Sequence, residues 1–201
     1  MKILNISRLK LNDKHNYYGG AIGNIAYNLM RSLSEIENIE LITFTEGLDL
    51  EKDVPPTLTF LRAKSFKDIK RQINNILEGN DISVVTHLYF HEPEYNPVAK
   101  LIKRRRLPFV IGMCELPHPR FRDEVKGILK IPLVRTFGKM FVLPKFKETL
   151  KLCDKLIVVN EPAKKYYSNF IEEERIRIIP YGVDLERFKY TPLPEGHKIL
   201  M

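Results

Sequence analysis

Short apolar stretches alternate with amphipathic segments along most of this chain of 201 residues. Seven of these stretches have the length and β-branched content of strands, at residues 2–7, 40–45, 58–61, 81–87, 108–113, 155–159 and 176–179. Segments with helical spacing of apolar residues lie between them, near residues 20–33, 66–77, 94–106 and 161–170. This alternation requires crossover connections, so we predict one α/β domain with a mostly parallel sheet and helices on both faces.

Three candidate site elements fall where predicted strands end. His87 closes the fourth strand, Cys114 and Glu115 follow the fifth, and the glycine pair Gly19-Gly20 lies between the first strand and the first helix. Ligands of open parallel sheets bind outside the carboxyl ends of the strands. We therefore predict a binding site at this edge of the sheet.

The glycine pair has two interpretations. Gly19 and Gly20 let the backbone approach an anion closely, and the free N–H groups of a helix N-terminus favour phosphate. Alternatively, the pair is a flexible hinge that leads into the helix. A dinucleotide-binding fingerprint fits less well, because Gly19-Gly20-x-x-Gly23 lacks the G-x-G turn and follows a long loop.

The candidate side chains also have structural interpretations. A histidine that closes a strand, such as His87, is either a hydrogen-bonded structural group or a catalytic one. Glu115 is a candidate general base, a helix N-cap or a solvated carboxylate. His118 lies between Pro117 and Pro119, and it is a candidate ligand contact in a rigid loop.

Basic residues are concentrated in residues 100–151. This block holds 14 Lys and Arg against 4 Asp and Glu, while the whole chain has a formal net charge of +8. Residues 120–152 also interleave apolar and basic positions, so we predict either contact with an anionic membrane surface or a helix packed on the domain with its lysines outward. Nucleic acid is not an expected partner, because no stacking arrangement of aromatic residues and no known motif is present.

Composition favours a soluble protein in a reducing compartment. The two cysteines, Cys114 and Cys153, lie far apart and lack metal-ligand spacing. Residues 1–6 are too short and too polar for a signal peptide, and no apolar run approaches the roughly 18 residues that span a bilayer. We expect a cytoplasmic protein that is at most peripheral on the inner face of the membrane.

A turn and a linker follow the last predicted strand. Pro180 ends the strand, Gly182 is predicted to turn the chain through positive φ, and Asp184 is a candidate N-cap. Residues 191–201 contain two prolines and then begin a new apolar run. We expect one domain over residues 1–190, followed by a linker and the first residues of a second domain.

Two motifs in the last third of the chain resemble those of family-4 retaining glycosyltransferases. The first is Cys153-Asp154 before a strand with Asn160-Glu161 after it, and the second is Ile179-Pro180-Tyr181-Gly182-Val183-Asp184. Members of the family usually have Ala-Asp, Ser-Glu and Ile-Pro-Asn-Gly-Val-Asp there. The glycine pair and the strand 81–87 also fit, so the resemblance covers nearly the whole chain.

The resemblance implies the GT-B architecture, in which two Rossmann-like domains face each other, and makes this chain the N-terminal, acceptor-side domain. It implies that Gly19 and Gly20 approach the donor diphosphate, which helix N-termini and basic residues stabilise without a metal ion or other cofactor. The acceptor-side candidates are Tyr18, His87, Cys114, Glu115, His118 and Asn160. Because Cys114-Glu115 stands where many members have His-Asp or His-Glu, Glu115 and His118 are the catalytic candidates.

Two functions of different classes are compatible with these observations. The first is the acceptor-binding domain of a glycosyltransferase, which moves a sugar from a nucleotide-sugar donor to a lipid-linked or glycan acceptor. We expect such a domain to have little activity without its donor-binding partner domain. The second is a non-catalytic module that binds a sugar phosphate or a partner subunit. A nucleotide-sugar epimerase of the same architecture is a third alternative.

Overall fold

The structure is a computed structural model that describes residues 1–9, 28–45, 55–63, 65–88, 95–114 and 143–182. Its strands are β1 (Lys2–Leu9), β2 (Glu40–Thr45), β3 (Leu58–Arg62), β4 (Val84–Leu88), β5 (Phe109–Cys114), β6 (Lys155–Val158) and β7 (Ile176–Ile178). Its helices are α1 (Phe66–Gly79), α2 (Asn96–Arg104), α3 (Leu143–Leu152) and α4 (Glu161–Tyr167). Residues 28–34 are also helical, and a 3₁₀ turn (Glu173–Arg175) precedes β7.

The described strands form one parallel sheet in the order β3-β2-β1-β4-β5-β6-β7. From β1 the chain moves outward to β3, then crosses back to β4 and continues toward the opposite edge. Because crossovers between parallel strands are right-handed, this reversal places the helical segment 28–34 on one face and α1 to α4 on the other. The prediction of a parallel α/β sheet with helices on both faces is confirmed.

Apolar side chains cover both faces of the sheet. A large cluster under the four labelled helices includes Leu4, Val85 and Ile111 from the central strands. A smaller cluster on the face of the helical segment 28–34 includes Ile3 and Leu88. Ile3 and Leu4 are consecutive residues that point to opposite faces. Burial on both faces explains why the sequences of these strands are nearly continuous runs of apolar residues.

Helix α1 shows how local signals define these elements. The Ser65 side chain accepts a hydrogen bond from the Asp68 N–H at 3.3 Å and so caps the first turn. Ile69, Ile73 and Ile76 recur at helical spacing, and all three are buried against the sheet. The predicted position and apolar face of this helix are therefore correct.

A few predicted boundaries differ from the structure. Strand β4 begins at Val84, so residues 81–83 belong to the connection that precedes it. Helix α2 ends at Arg104 because Arg106 adopts a left-handed φ of 57°, a conformation that terminates helices. Gly182 does not turn through positive φ as predicted, and a side chain at this position would meet open space.

Helix α3 is the described part of the predicted basic amphipathic stretch, whose residues 120–142 lie outside the described ranges. Its Phe146 and Leu150 are buried in the large cluster. The Asn96 Nδ2 of α2 donates to the Thr149 Oγ1 of α3 at 3.0 Å, and both side chains are buried. These ten residues therefore form a helix that packs on the domain, while membrane contact of the basic block stays a prediction.

Candidate functional site

The strand order reverses direction between the neighbours β1 and β4. From β1 the chain continues to β2 on one side, and from β4 it continues to β5 on the other side. Connections from the carboxyl ends of these two neighbours lead to opposite sides of the sheet. The ladder between the two strands runs from the pair Ile3–Val84 to the pair Asn5–Thr86. Open α/β sheets bind ligands in the crevice that such divergence creates at the carboxyl edge. We place the candidate site at this edge.

A buried polar network joins β2, β1 and β4 at the end of this ladder. The Asn5 side chain is completely buried, and its Nδ2 donates to the Thr43 Oγ1 of β2 at 2.7 Å. Its Oδ1 accepts from the Thr86 Oγ1 of β4 at 3.3 Å and from the Ser7 N–H at 3.4 Å. Buried polar groups are costly unless they are bonded, so these partners fix the relative positions of the strands beneath the site.

Two shifts in strand register flank the end of β4. The register of β1 against β2 shifts between Asn5 and Arg8, and the register of β5 against β6 shifts between Ile111 and Cys114. β1 and β5 are the two strands that neighbour β4 in the sheet. Register irregularities of this kind, which include β-bulges, bend a strand and re-aim its residues, and they are frequent beside functional sites.

His87 lies in β4 at the predicted edge and is only 3% exposed. Its imidazole ring packs on the Tyr95 ring, with centroids 4.1 Å apart and planes inclined by 32°. Tyr95 in turn makes an edge contact with Phe66 at 4.6 Å. This cluster joins the end of β4 to the start of α1 and α2, so it fixes the orientation of the imidazole. The contact of His87 with an acceptor stays a prediction.

The other predicted site residues are only partly described. Cys114 is the last residue of β5, and Asn160 follows β6, so both backbones lie at the carboxyl edge of the sheet. The Asn160 Oδ1 accepts from the Ala163 N–H at 2.9 Å and caps α4. The remaining candidates lie outside the described residues, and their roles stay predictions; they are Tyr18, Gly19, Gly20, Glu115 and His118.

Replacement of Asn160 with alanine should lower the free energy of unfolding by about 1 kcal/mol, because α4 loses its N-cap. Asn160→Ser should retain most of that stability, since serine is also a good cap. Urea unfolding followed by circular dichroism measures both variants, with Ser65→Ala as a cap control on α1. Asn160 would not stabilise α4 if Asn160→Ala and the wild type unfolded at the same urea concentration.

Two residues of the first family-like motif have structural roles. The Cys153 thiol is buried and donates to the Leu150 carbonyl at 3.0 Å, and burial raises the pKa of this thiol to about 12. The Asp154 Oδ2 accepts from the Phe109 N–H at 2.8 Å, while Asp154 Oδ1 pairs with the Lys103 Nζ at 2.7 Å. The Asp154 N–H also donates to the Phe109 carbonyl at 2.7 Å. These bonds tie the starts of β5 and β6 together at the amino edge, away from the candidate site.

Asp154→Ala should destabilise the fold by about 1–3 kcal/mol, because the Phe109 N–H loses its acceptor. Partial burial alone would raise the pKa of the Asp154 carboxyl, but the bonds from Lys103 and Phe109 outweigh it and lower that pKa. The carboxylate therefore stabilises the fold above the unfolded-state pKa of about 4, and its contribution is lost as the pH falls through the lower folded-state pKa. Urea unfolding at pH values between about 7 and about 3 tests the prediction. The free energy of unfolding of Asp154→Asn should depend less on pH than that of the wild type. An equal pH dependence would show that the Asp154 carboxylate is not the stabilising group.

A cavity of about 480 Å³ lies at the opposite, amino edge of the sheet. It is lined by β1, β2, β3 and the end of α1, with Lys2 and Asn80 among its polar residues. The Lys2 Nζ is paired with the Glu40 carboxylate at 3.0 Å, so these two charges already neutralise each other. Since open parallel sheets bind ligands at the carboxyl edge, we keep the candidate site at β1 and β4.

Sequence reasoning did not select Asn5 or Ser7 as site residues. Both are polar and alternate within a first strand whose other early positions, Ile3, Leu4 and Ile6, are apolar. Polar residues in a strand that is buried on both faces need specific partners. The alternation of polar and apolar residues in this strand was therefore the sequence signal that could have identified Asn5 and Ser7.

Within the described ranges, no helix is both long enough and apolar enough to cross a membrane. The same ranges contain no group of three His, Cys, Asp or Glu side chains placed to hold a metal ion.

Comparison with solved structures identifies a Rossmann-like domain of the kind found in GT-B glycosyltransferases. "Apo UGT2" of Phytolacca americana superposes with a TM-score of 0.50 at 8% identity, covering 92% of this chain and 53% of its own. A UDP-glucosyltransferase from Polygonum tinctorium superposes with a TM-score of 0.52 at 8% identity, covering 96% of this chain and 55% of its own. The chain thus spans about half the length of these solved proteins, and the likeness establishes the fold.

The family is established by sequence. The family model described as "Glycosyltransferase Family 4" matches residues 19–187, which is most of the chain. The protein therefore belongs to glycosyltransferase family 4, as the two motifs predicted. No curated protein matches it at a significant level.

Proposed function

We propose that this chain is the acceptor-binding domain of a glycosyltransferase. It would hold a lipid-linked or glycan acceptor while a second domain supplies the sugar from a nucleotide-sugar donor. The family match over residues 19–187 carries this proposal. The strand order supports it, because ligands of such sheets bind at the carboxyl edge where the direction of the order reverses, here between β1 and β4.

The roles of individual residues belong to the same proposal. Gly19 and Gly20 approach the donor diphosphate through their backbone, and helix N-termini with basic residues stabilise the leaving group without a metal ion. Glu115 or His118 acts at the reacting centre, while His87 contributes to the acceptor side. Addition of EDTA should then leave transfer unchanged, and a loss of activity that Mg²⁺ or Mn²⁺ restores would refute the metal-free mechanism.

Membrane contact through the basic block is a further part of the proposal. Lys145 and Lys151 of α3 are exposed, while Phe146 on the same helix is buried in the domain. Exposed lysines of this kind attract anionic lipid headgroups at the cytoplasmic surface. Sedimentation with phosphatidylglycerol vesicles, compared with phosphatidylcholine vesicles, tests the contact. Equal recovery with both vesicles would count against it.

Glycosyl transfer is tested with the chain alone and with the chain joined to a family-4 donor-binding domain. Both are incubated with radiolabelled UDP-sugars, GDP-sugars and a membrane lipid extract as the source of acceptors. We expect transfer only when both domains are present. Turnover by the 201-residue chain alone would refute the proposal that transfer requires a second, donor-binding domain. Binding of a sugar phosphate without any transfer in either case would instead favour the non-catalytic module.

A further inference from the structure

Ser7 connects the two central strands of the candidate site through its side chain. Its Oγ donates to the Leu88 carbonyl at 2.7 Å and accepts from the Leu88 N–H at 2.6 Å. Leu88 is the last residue of β4, beyond the final ladder pair Asn5–Thr86. One buried hydroxyl therefore satisfies both main-chain groups at the point where the two strands begin to diverge.

Leu88 is also confined from the other neighbouring strand. Gly112 of β5 lies opposite Leu88 in the ladder, and a Cβ added at Gly112 would come within 2.8 Å of the Leu88 Cδ2. Leu88 itself is 6% exposed and belongs to the smaller apolar cluster. The end of β4 is thus held by a hydroxyl from β1 and by a close backbone approach from β5. Both contacts come from the parts of those strands where the register shifts.

This arrangement has a direct effect on His87, the residue before Leu88. The Leu88 side chain packs on the face of the helical segment 28–34, while His87 packs on Tyr95 at the start of α2. Rotation or displacement of the Leu88 main chain would turn the imidazole away from Tyr95. Because displacement of a site group by about 1 Å can cost two orders of magnitude in rate, such a restraint is functionally significant.

We propose that Ser7 is a positioning residue: by bonding both main-chain groups of Leu88, it fixes the end of β4 and the orientation of His87 at the crevice. The positioning of His87 rests on the contacts alone. Only its consequence for transfer rests on the proposed function.

The chain offers a matched control at the other end of the same strand pair. The Ser83 Oγ, just before β4, accepts from the Lys2 N–H of β1 at 3.2 Å. Both serines therefore bond a main-chain group of the neighbouring strand. Only Ser7 lies at the carboxyl edge, so loss of Ser83 should not affect His87.

The test compares Ser7→Ala and Ser83→Ala in the complete chain by NMR. In Ser7→Ala we expect hydrogen-exchange protection of the Leu88 amide to fall by up to about tenfold, since a hydrogen bond typically contributes that much. The His87 ring resonances and the His87–Tyr95 ring contacts should change as well. In Ser83→Ala the Lys2 amide should lose protection, while the His87 signals keep their wild-type positions. Unchanged His87 signals in a folded Ser7→Ala protein, or the same change in both variants, would overturn the proposal.

Gly112→Ala provides a second, independent perturbation, because it pushes on Leu88 from β5 while Ser7 is intact. It should also shift the His87 resonances. If neither Ser7→Ala nor Gly112→Ala shifts them, the end of β4 does not control His87.

Where transfer is observed with the donor domain attached, Ser7→Ala should lower kcat/KM for the acceptor by about tenfold to a hundredfold, and Ser83→Ala should not. A complete absence of transfer would refute the proposed function and leave the NMR result valid.

Discussion

Replacement of Phe109 with alanine is expected to lower the free energy of unfolding by about 3–5 kcal/mol. Phe109 opens β5 and is completely buried in the cluster that joins the sheet to α1 through α4. Alanine retains the main-chain bonds of this position, including the pair with Asp154. The loss therefore comes from the buried ring surface and from the cavity that it leaves behind.

Phe60→Ala is the matched control for this variant. Phe60 lies on β3 at the edge of the described sheet, is half-buried and packs against the smaller cluster. Its removal should cost clearly less than removal of Phe109, because the site is already partly hydrated. Urea unfolding followed by circular dichroism measures both. Equal losses would mean that the large cluster does not dominate the stability of the fold.

The second large effect is expected at Asn5. Asn5→Ala removes the central member of the buried polar network and should destabilise the fold by about 3 kcal/mol, through unmade hydrogen bonds and a small cavity. Asn80→Ala is the control, because Asn80 is only partly buried and bonds a helix-end carbonyl. It should cost about 1 kcal/mol or less.

A double-mutant cycle separates the hydrogen bond of Asn5 from the general effect of truncation. Asn5→Ala, Thr43→Val and the double variant are unfolded in urea under the same conditions. Because the two side chains are in contact at 2.7 Å, we expect a coupling energy of about 1 kcal/mol. Strictly additive losses would show that the Asn5–Thr43 bond does not contribute to stability.

The fold was predictable because each element carries its own local signal. The Ser65 cap and the spacing of Ile69, Ile73 and Ile76 define α1 within fifteen residues. Asn160 followed by Pro162 similarly marks the start of α4. Alternation of such elements restricts the architecture to a parallel sheet. The sequence did not identify the left-handed φ of Arg106, since arginine has no preference for that conformation.

The candidate site was less predictable, because its supporting contacts join residues that are distant in sequence. Ser7 and Leu88 are 81 residues apart, and Asn5 and Thr43 are 38 apart. Spacing along the chain locates the carboxyl edge, where His87 and Cys114 were expected, but it does not say which side chains meet there. The register shifts beside β4 depend on the same long-range pairing. Tertiary contacts therefore determine the part of the site that the sequence left open.

The central place of β1 has a consequence for how the chain folds during its synthesis. β1 leaves the ribosome well before β4, because its ladder partners in β4 begin only at Val84. Until β4 emerges, the carboxyl end of β1 has no β4 backbone to bond, and Asn5 lacks its Thr86 partner. Long-range parallel pairing of this kind is slow and leaves apolar edges exposed in the meantime. We therefore expect β1 of the nascent protein to be a principal contact for chaperones until β4 has been made.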